Sequence, residues 1–105
     1  MKKEYNKLVR DLIPRIIEKS GKVCAVQTLS EEAYLAKLLE KLDEEVAEYR
    51  ESRSHEELAD ILEVVYALAL ATDCSEQKLN ALRAEKARER GGFAEKILLK
   101  SVEED

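Results

Sequence analysis

Tryptophan is absent from this 105-residue chain, and phenylalanine and proline occur once each. So few aromatic rings, on a chain of net charge −5, argue against nucleic acid, whose binding needs cationic grooves and stacking platforms. Glycine occurs only three times, which excludes collagen-like and glycine-rich low-complexity chains. The two cysteines, Cys24 and Cys74, are isolated, with no C-x-x-C or zinc spacing. They read as two reduced thiols in the cytoplasm. No apolar run approaches the ~18–20 residues that cross a bilayer. The opening "MKKEYNKLVRDLIP" lacks the continuous apolar core of a secretory signal. The expectation is one domain over residues 1–105, in the cytoplasm, without a membrane span.

What the chain has is charge and aliphatic periodicity. Hydrophobic residues make up 45% and charged residues 39% of it, a globular rather than a disordered balance. The charge is sorted along the sequence. Residues 1–22 carry seven basic and three acidic side chains, and residues 78–100 carry the same numbers. Between them, residues 40–63 hold ten Asp and Glu against three Lys and Arg. Carboxylates three or four apart on a helix repel by roughly 0.2–0.5 kcal/mol per pair, so this density calls for a reason.

The periodicity predicts helices. Asp11 is a candidate N-cap for a first helix, with Pro14 in its opening turn and Ser20 and Gly21 at its end. Ser30 caps a long helix whose Leu35, Leu38, Leu39, Leu42, Val46 and Tyr49 recur at helical spacing. Polar "ESRS" breaks it, and Ser54 with Glu57 forms an S-x-x-E capping box that opens the next helix. Residues 61–71 are apolar almost all round, which marks a central, buried helix. A fourth helix runs from about Ser75 to Arg90 and stops at Gly91 and Gly92. "VCAVQTL" at 23–29 and "KILLKSV" at 96–102 are candidate strands that could pair. The fold class is therefore mainly α: a helical bundle around one antiparallel hairpin, with a small two-stranded β element. One hairpin cannot cover the apolar third helix, so a homodimer or higher homo-oligomer is expected to complete the bundle.

Glu45 and Glu48 lie three apart on the second helix, and Glu57 and Asp60 three apart on the third. Folding the hairpin near Arg53 brings both pairs to the same end. Spacing leaves two readings open. The acids are either a solvated face, with Glu56 and Glu57 complementing a helix dipole, or an all-oxygen site for a hard cation, Mg²⁺ or Mn²⁺. The second gives the basic flanks a purpose, since Mg²⁺ commonly takes phosphate oxygens as further ligands. Lys7, Arg10, Lys86 and Arg90 are the candidates for those phosphates, salt bridges to the acidic helices being their other use. His55, the single histidine, is a surface residue at a helix start.

"DEEVAEY" followed by "EELAD" reads as EExxE…ExxD. With "YNKLVRDLIPRIIEKSG", "KLDEEVAEY", "EELADILEVVYALA" and "KARERGGFAEKILL" in this order, nearly the whole chain resembles the MazG-like all-α nucleoside triphosphate pyrophosphohydrolases, in a house-cleaning branch. The resemblance implies Mg²⁺ on Glu45, Glu48, Glu57 and Asp60, with Glu44 less certain. It implies hydrolysis between the α- and β-phosphates of a nucleoside triphosphate, a non-canonical one in that branch, to monophosphate and pyrophosphate. Two alternatives stay open: phosphoribosyl-ATP pyrophosphohydrolysis in histidine synthesis, and a non-catalytic helical regulatory or interaction module. The linker between the two motifs is only eight residues, which leaves little room for a loop that covers substrate.

Overall fold

A computed structural model describes residues 1–104. Its helices are α1 (Ile13–Lys19), α2 (Glu31–Ser52), α3 (His55–Ala71) and α4 (Glu76–Arg90). The mainly α class holds, and no helix is long and apolar enough to cross a membrane.

Serines start the three longer helices. Ser30, Ser54 and Ser75 are extended, and their Oγ atoms accept from the backbone N–H of Ala33, Glu57 and Lys78. Each satisfies a donor that helix geometry leaves orphaned. Asp11 does not cap α1. The N-cap is Leu12, with no side-chain bond, because the chain is already turning there: Ile13 N–H donates to Arg10 C=O at 3.0 Å. Pro14 sits in the first turn, and Gly21 ends the helix at φ +90°, a backbone that a Cβ would strain.

The tight joint is between α2 and α3. Arg53 adopts the left-handed conformation at φ 54°, and its N–H donates to Tyr49 C=O at 2.8 Å. Ser54 then caps α3 at once, so α3 folds straight back along α2. Leu38 and Val64, at 2% and 8% exposure, are the buried apolar residues of this seam. α4 packs on α3 and not on α2. The Tyr66 hydroxyl and Asn80 side chain, 3.2–3.3 Å apart, fasten it there.

The single chain leaves much uncovered. Its accessible surface is 9902 Å², against about 6,000 Å² for a compact 12 kDa monomer. Its radius of gyration is 18.6 Å, against about 13 Å for a compact domain of this length. Residues 61–71, expected to be central, bury only Val64 fully, while Leu62 and Leu70 stay exposed. Among the described residues no strand forms. Residues 23–29 and 96–102 carry no pairing in this chain, and nearly every side chain in them is exposed. Two strands without a covered apolar face are marginal in water.

Candidate functional site

The hairpin decides where the acids go. Because only Arg53 and Ser54 separate α2 from α3, Glu57 and Asp60 in the first turns of α3 lie opposite the last turns of α2. One carboxylate oxygen each from Glu45, Glu57 and Asp60 lies within 4.8 Å of the others. The same holds for Glu44, Glu45 and Glu48. Glu45 belongs to both groups and is buried, at 6% exposure. It sits at the edge of the apolar stripe of α2, where packing closes over it. The four expected ligands, Glu45, Glu48, Glu57 and Asp60, do share one end of the hairpin.

Glu57 shows that the arrangement costs the helix something. In a full capping box its carboxylate would turn back to the Ser54 N–H. That N–H donates to Ser52 Oγ instead, at 3.2 Å. Glu57 keeps the other half of the box, its N–H on Ser54 Oγ at 3.2 Å. Its side chain faces the cluster, where Oε2 is buried without a hydrogen-bond partner. A buried oxygen of this kind costs free energy unless a cation or donor meets it.

Charge is balanced unevenly across the cluster. Lys7 Nζ donates to Glu44 Oε1 at 2.9 Å, and Arg10 Nη2 donates to Asp60 Oδ1 at 2.6 Å. Lys41, one turn before Glu45, lies 3.7 Å from both Glu44 and Glu45. The hydrogen bond from Lys7 holds the Glu44 carboxyl below its ordinary range, and Glu44 raises Lys7 in return. Glu45 goes the other way. Burial first, then the charge of Glu48, pushes it up to about 7 despite Lys41. Glu57 is raised for the same two reasons in the same order. Glu44 is thus compensated by Lys7 and Lys41, while Glu45 is met only by Lys41 at 3.7 Å and Glu57 by no cation among the described residues. Two carboxyls held above their ordinary range by burial and by the charge of Glu48 form a site that favours added positive charge.

Two of the four phosphate candidates reach the cluster. The irregular segment before α1 lies across α2, held by Lys7, by Arg10 and by Lys37 Nζ, which donates to Asn6 C=O at 3.2 Å. Lys7 and Arg10 are half-exposed and already paired with acids. Lys86 and Arg90 are not brought there. They form no ion pair or hydrogen bond among the described residues, and they line a separate concavity at the end of α4 with Arg83, Ala87 and Phe93. The fourth helix leans on α3 alone, so its basic end does not reach α2. Lys37 and Lys41 were not singled out by sequence. The available signal was helical offset: Lys41 stands three and four residues before Glu44 and Glu45, and Lys37 three before Glu40.

No family model matches the chain, and no solved structure matches it. A protein of Mycolicibacterium smegmatis described only as uncharacterized is 56% identical over 43 residues. The match takes in 41% of this chain and 44% of that protein, so less than half of either is compared.

Proposed function

We propose that the chain is a Mg²⁺-dependent nucleoside triphosphate pyrophosphohydrolase of the MazG-like kind, cytoplasmic and assembled from at least two copies. The observation that carries this reading is Glu45: a buried carboxyl shared by two trios of acids, next to a buried Glu57 Oε2 with no partner. Such a site is poorly satisfied without a cation. All-oxygen donors at these spacings suit Mg²⁺, with Mn²⁺ as a substitute. Glu45, Glu48, Glu57 and Asp60 would hold it. Bound there, Mg²⁺ supplies charge neutralisation for a triphosphate and for its reaction with water.

The chain's own groups then have distinct tasks. Arg10 and Lys7 exchange their exposed carboxylate partners for phosphate oxygens, at little cost because surface ion pairs are weak. A carboxylate oxygen of the cluster left free by the ion would accept the proton of an attacking water. Attack at the α-phosphorus breaks the α–β anhydride and releases pyrophosphate. The exposed apolar surface favours assembly of two copies, since stable obligate interfaces bury about 2,000 Å² or more. That surface would equally suit a helical interaction module without activity.

A panel of standard and modified nucleoside triphosphates, with phosphoribosyl-ATP included, tests the reading. Each is incubated with Mg²⁺ or Mn²⁺ and scored for pyrophosphate and for phosphate. Pyrophosphate from at least one compound is expected. No turnover with either metal would reject the enzyme, and phosphate alone would place the cleavage at another bond.

A further inference from the structure

The two acid trios share Glu45 and differ in what meets them. On the first, of Glu44, Glu45 and Glu48, two ammonium groups converge. Lys7 Nζ lies 2.9 Å and Lys41 Nζ 3.7 Å from Glu44 Oε1, and Lys41 Nζ is also 3.7 Å from Glu45 Oε1. A cavity of about 100 Å³ opens beside Glu44, lined by Lys7, Leu8, Lys37, Glu40 and Lys41. A cation in that cavity has three lysines for neighbours. On the second trio, of Glu45, Glu57 and Asp60, the one further cation is Arg10, 2.6 Å from Asp60 Oδ1. No cation reaches Glu57 among the described residues, and its Oε2 is buried without a partner.

The backbone aims Lys7 at the first trio. Asn6 is left-handed at φ 47°, a conformation asparagine adopts more readily than most residues. Its C=O accepts from Lys37 Nζ at 3.2 Å, which fixes the segment on α2 one residue before Lys7. The Lys7 ammonium is a compact point charge with three donors. It stands where Mg²⁺ would need an oxygen shell at about 2.0–2.1 Å. Formal charge agrees with this asymmetry. The five carboxylates of the two trios carry −5, and Lys7, Lys41 and Arg10 return +3, so two negative charges stay open. One divalent ion closes that deficit. A second would leave excess positive charge in a half-buried cluster, which desolvation penalises.

We infer that, until a triphosphate draws Lys7 away, the hairpin holds one divalent ion per chain and Lys7 keeps a second one out. The ion lies on the side of Glu45, Glu57 and Asp60, with Glu48 bordering it. The Lys7 ammonium fills the second ion's place on Glu44, so an irregular segment outside the hairpin sets how many ions the hairpin takes. This rests on the reading under Proposed function for the divalent ion, and adds its number and the residue that limits it.

Electron paramagnetic resonance of free Mn²⁺ counts the ions, with full-length protein and no nucleotide, after circular dichroism has shown each variant to be helical. Wild type is expected to take up one Mn²⁺ per chain. Lys7→Gln should take up two. Because both then lie on Glu45, their spins should couple, two-metal sites holding their ions about 3.5–4 Å apart. Arg10→Gln removes the same charge from the other trio and should still take up one. Two ions in the wild type, one in Lys7→Gln, an uncoupled second ion there, or two in Arg10→Gln would each overturn the inference and leave the metal site standing. No uptake by the wild type would instead reject the metal reading under Proposed function, and this inference with it.

Discussion

Replacing Glu45 by Gln should make the metal-free protein more stable above neutral pH and leave it almost unchanged in acid. The carboxyl is 6% exposed and raised from an ordinary 4.5 to about 7, by burial first and by the charge of Glu48 next. A folded state that binds a proton more tightly than the unfolded chain is favoured below the unfolded value and loses that advantage as pH rises through about 7. Ionising Glu45 at pH 8 therefore costs the metal-free fold about 3 kcal/mol, and about 1 kcal/mol at pH 5. The substituted amide keeps the shape, carries no charge, and offers a donor to the neighbouring Glu57 Oε2. It gives up the 3.7 Å pairing with Lys41, which takes back a few tenths of a kcal/mol. The net difference between variant and wild type should grow by about 2 kcal/mol from pH 5 to pH 8. Urea melts of both proteins by circular dichroism, with chelator and at one protein concentration, measure it. Parallel stability-against-pH curves would show that Glu45 ionises in the fold at no special cost, and the candidate site would lose its main support. Millimolar Mg²⁺ should raise the wild type at pH 8 and leave the variant nearly where it was, because only binding to the native state stabilises.

Asp60→Asn should change metal-free stability by no more than about ±0.5 kcal/mol, since relief of repulsion is offset by the exposed Arg10 pair; it should still reduce the Mg²⁺-induced rise in melting temperature, and an undiminished rise would remove Asp60 from the ligand set. Arg10→Ala should raise KM for the preferred triphosphate more than it lowers kcat, measured by pyrophosphate release, whereas unchanged kinetics would leave Arg10 as a surface ion pair. Ser54→Ala removes the side-chain cap of α3 and should cost about 1 kcal/mol in a urea melt, with a fall in activity as the helix start that carries Glu57 loosens.

Much of this was legible because local chemistry governs it. The serine caps mark their helices to within a residue, since each hydroxyl meets a donor three positions on. The i, i+3 spacing of Glu45 with Glu48, and of Glu57 with Asp60, fixes which acids share a face, and a two-residue joint fixes which ends meet. Depth is not local. Glu44 and Glu45 are neighbours in sequence, yet one is held ionised by Lys7 and the other is buried and raised, because the apolar stripe closes over only one of them. The partners of Lys7 and Arg10 depend on an irregular segment crossing α2, which no periodicity reports. Lys86 and Arg90 lie away from the acids within one chain for a related reason. Where α4 points is set by what covers α3, and nothing within one chain covers it fully. The first helix shows the same limit on a small scale: Asp11 had the right side chain, but the preceding turn put the cap at Leu12.

The left-handed Arg53 makes the hairpin a fixed-length ruler for the acids on either side of it. Adding one helical residue between Ser54 and Glu57 would turn Glu57 and Asp60 by ~100° about the α3 axis, carrying them off the seam while leaving both helices intact. Adding a full turn's worth would restore their direction but displace them by ~5 Å along the helix. Divalent-ion affinity in a series of such insertions should therefore rise and fall with helical phase, while helicity stays level. In a protein built this way, linker length is itself a ligand-positioning parameter, and two chains with identical acids but linkers of different phase need not bind the same cation.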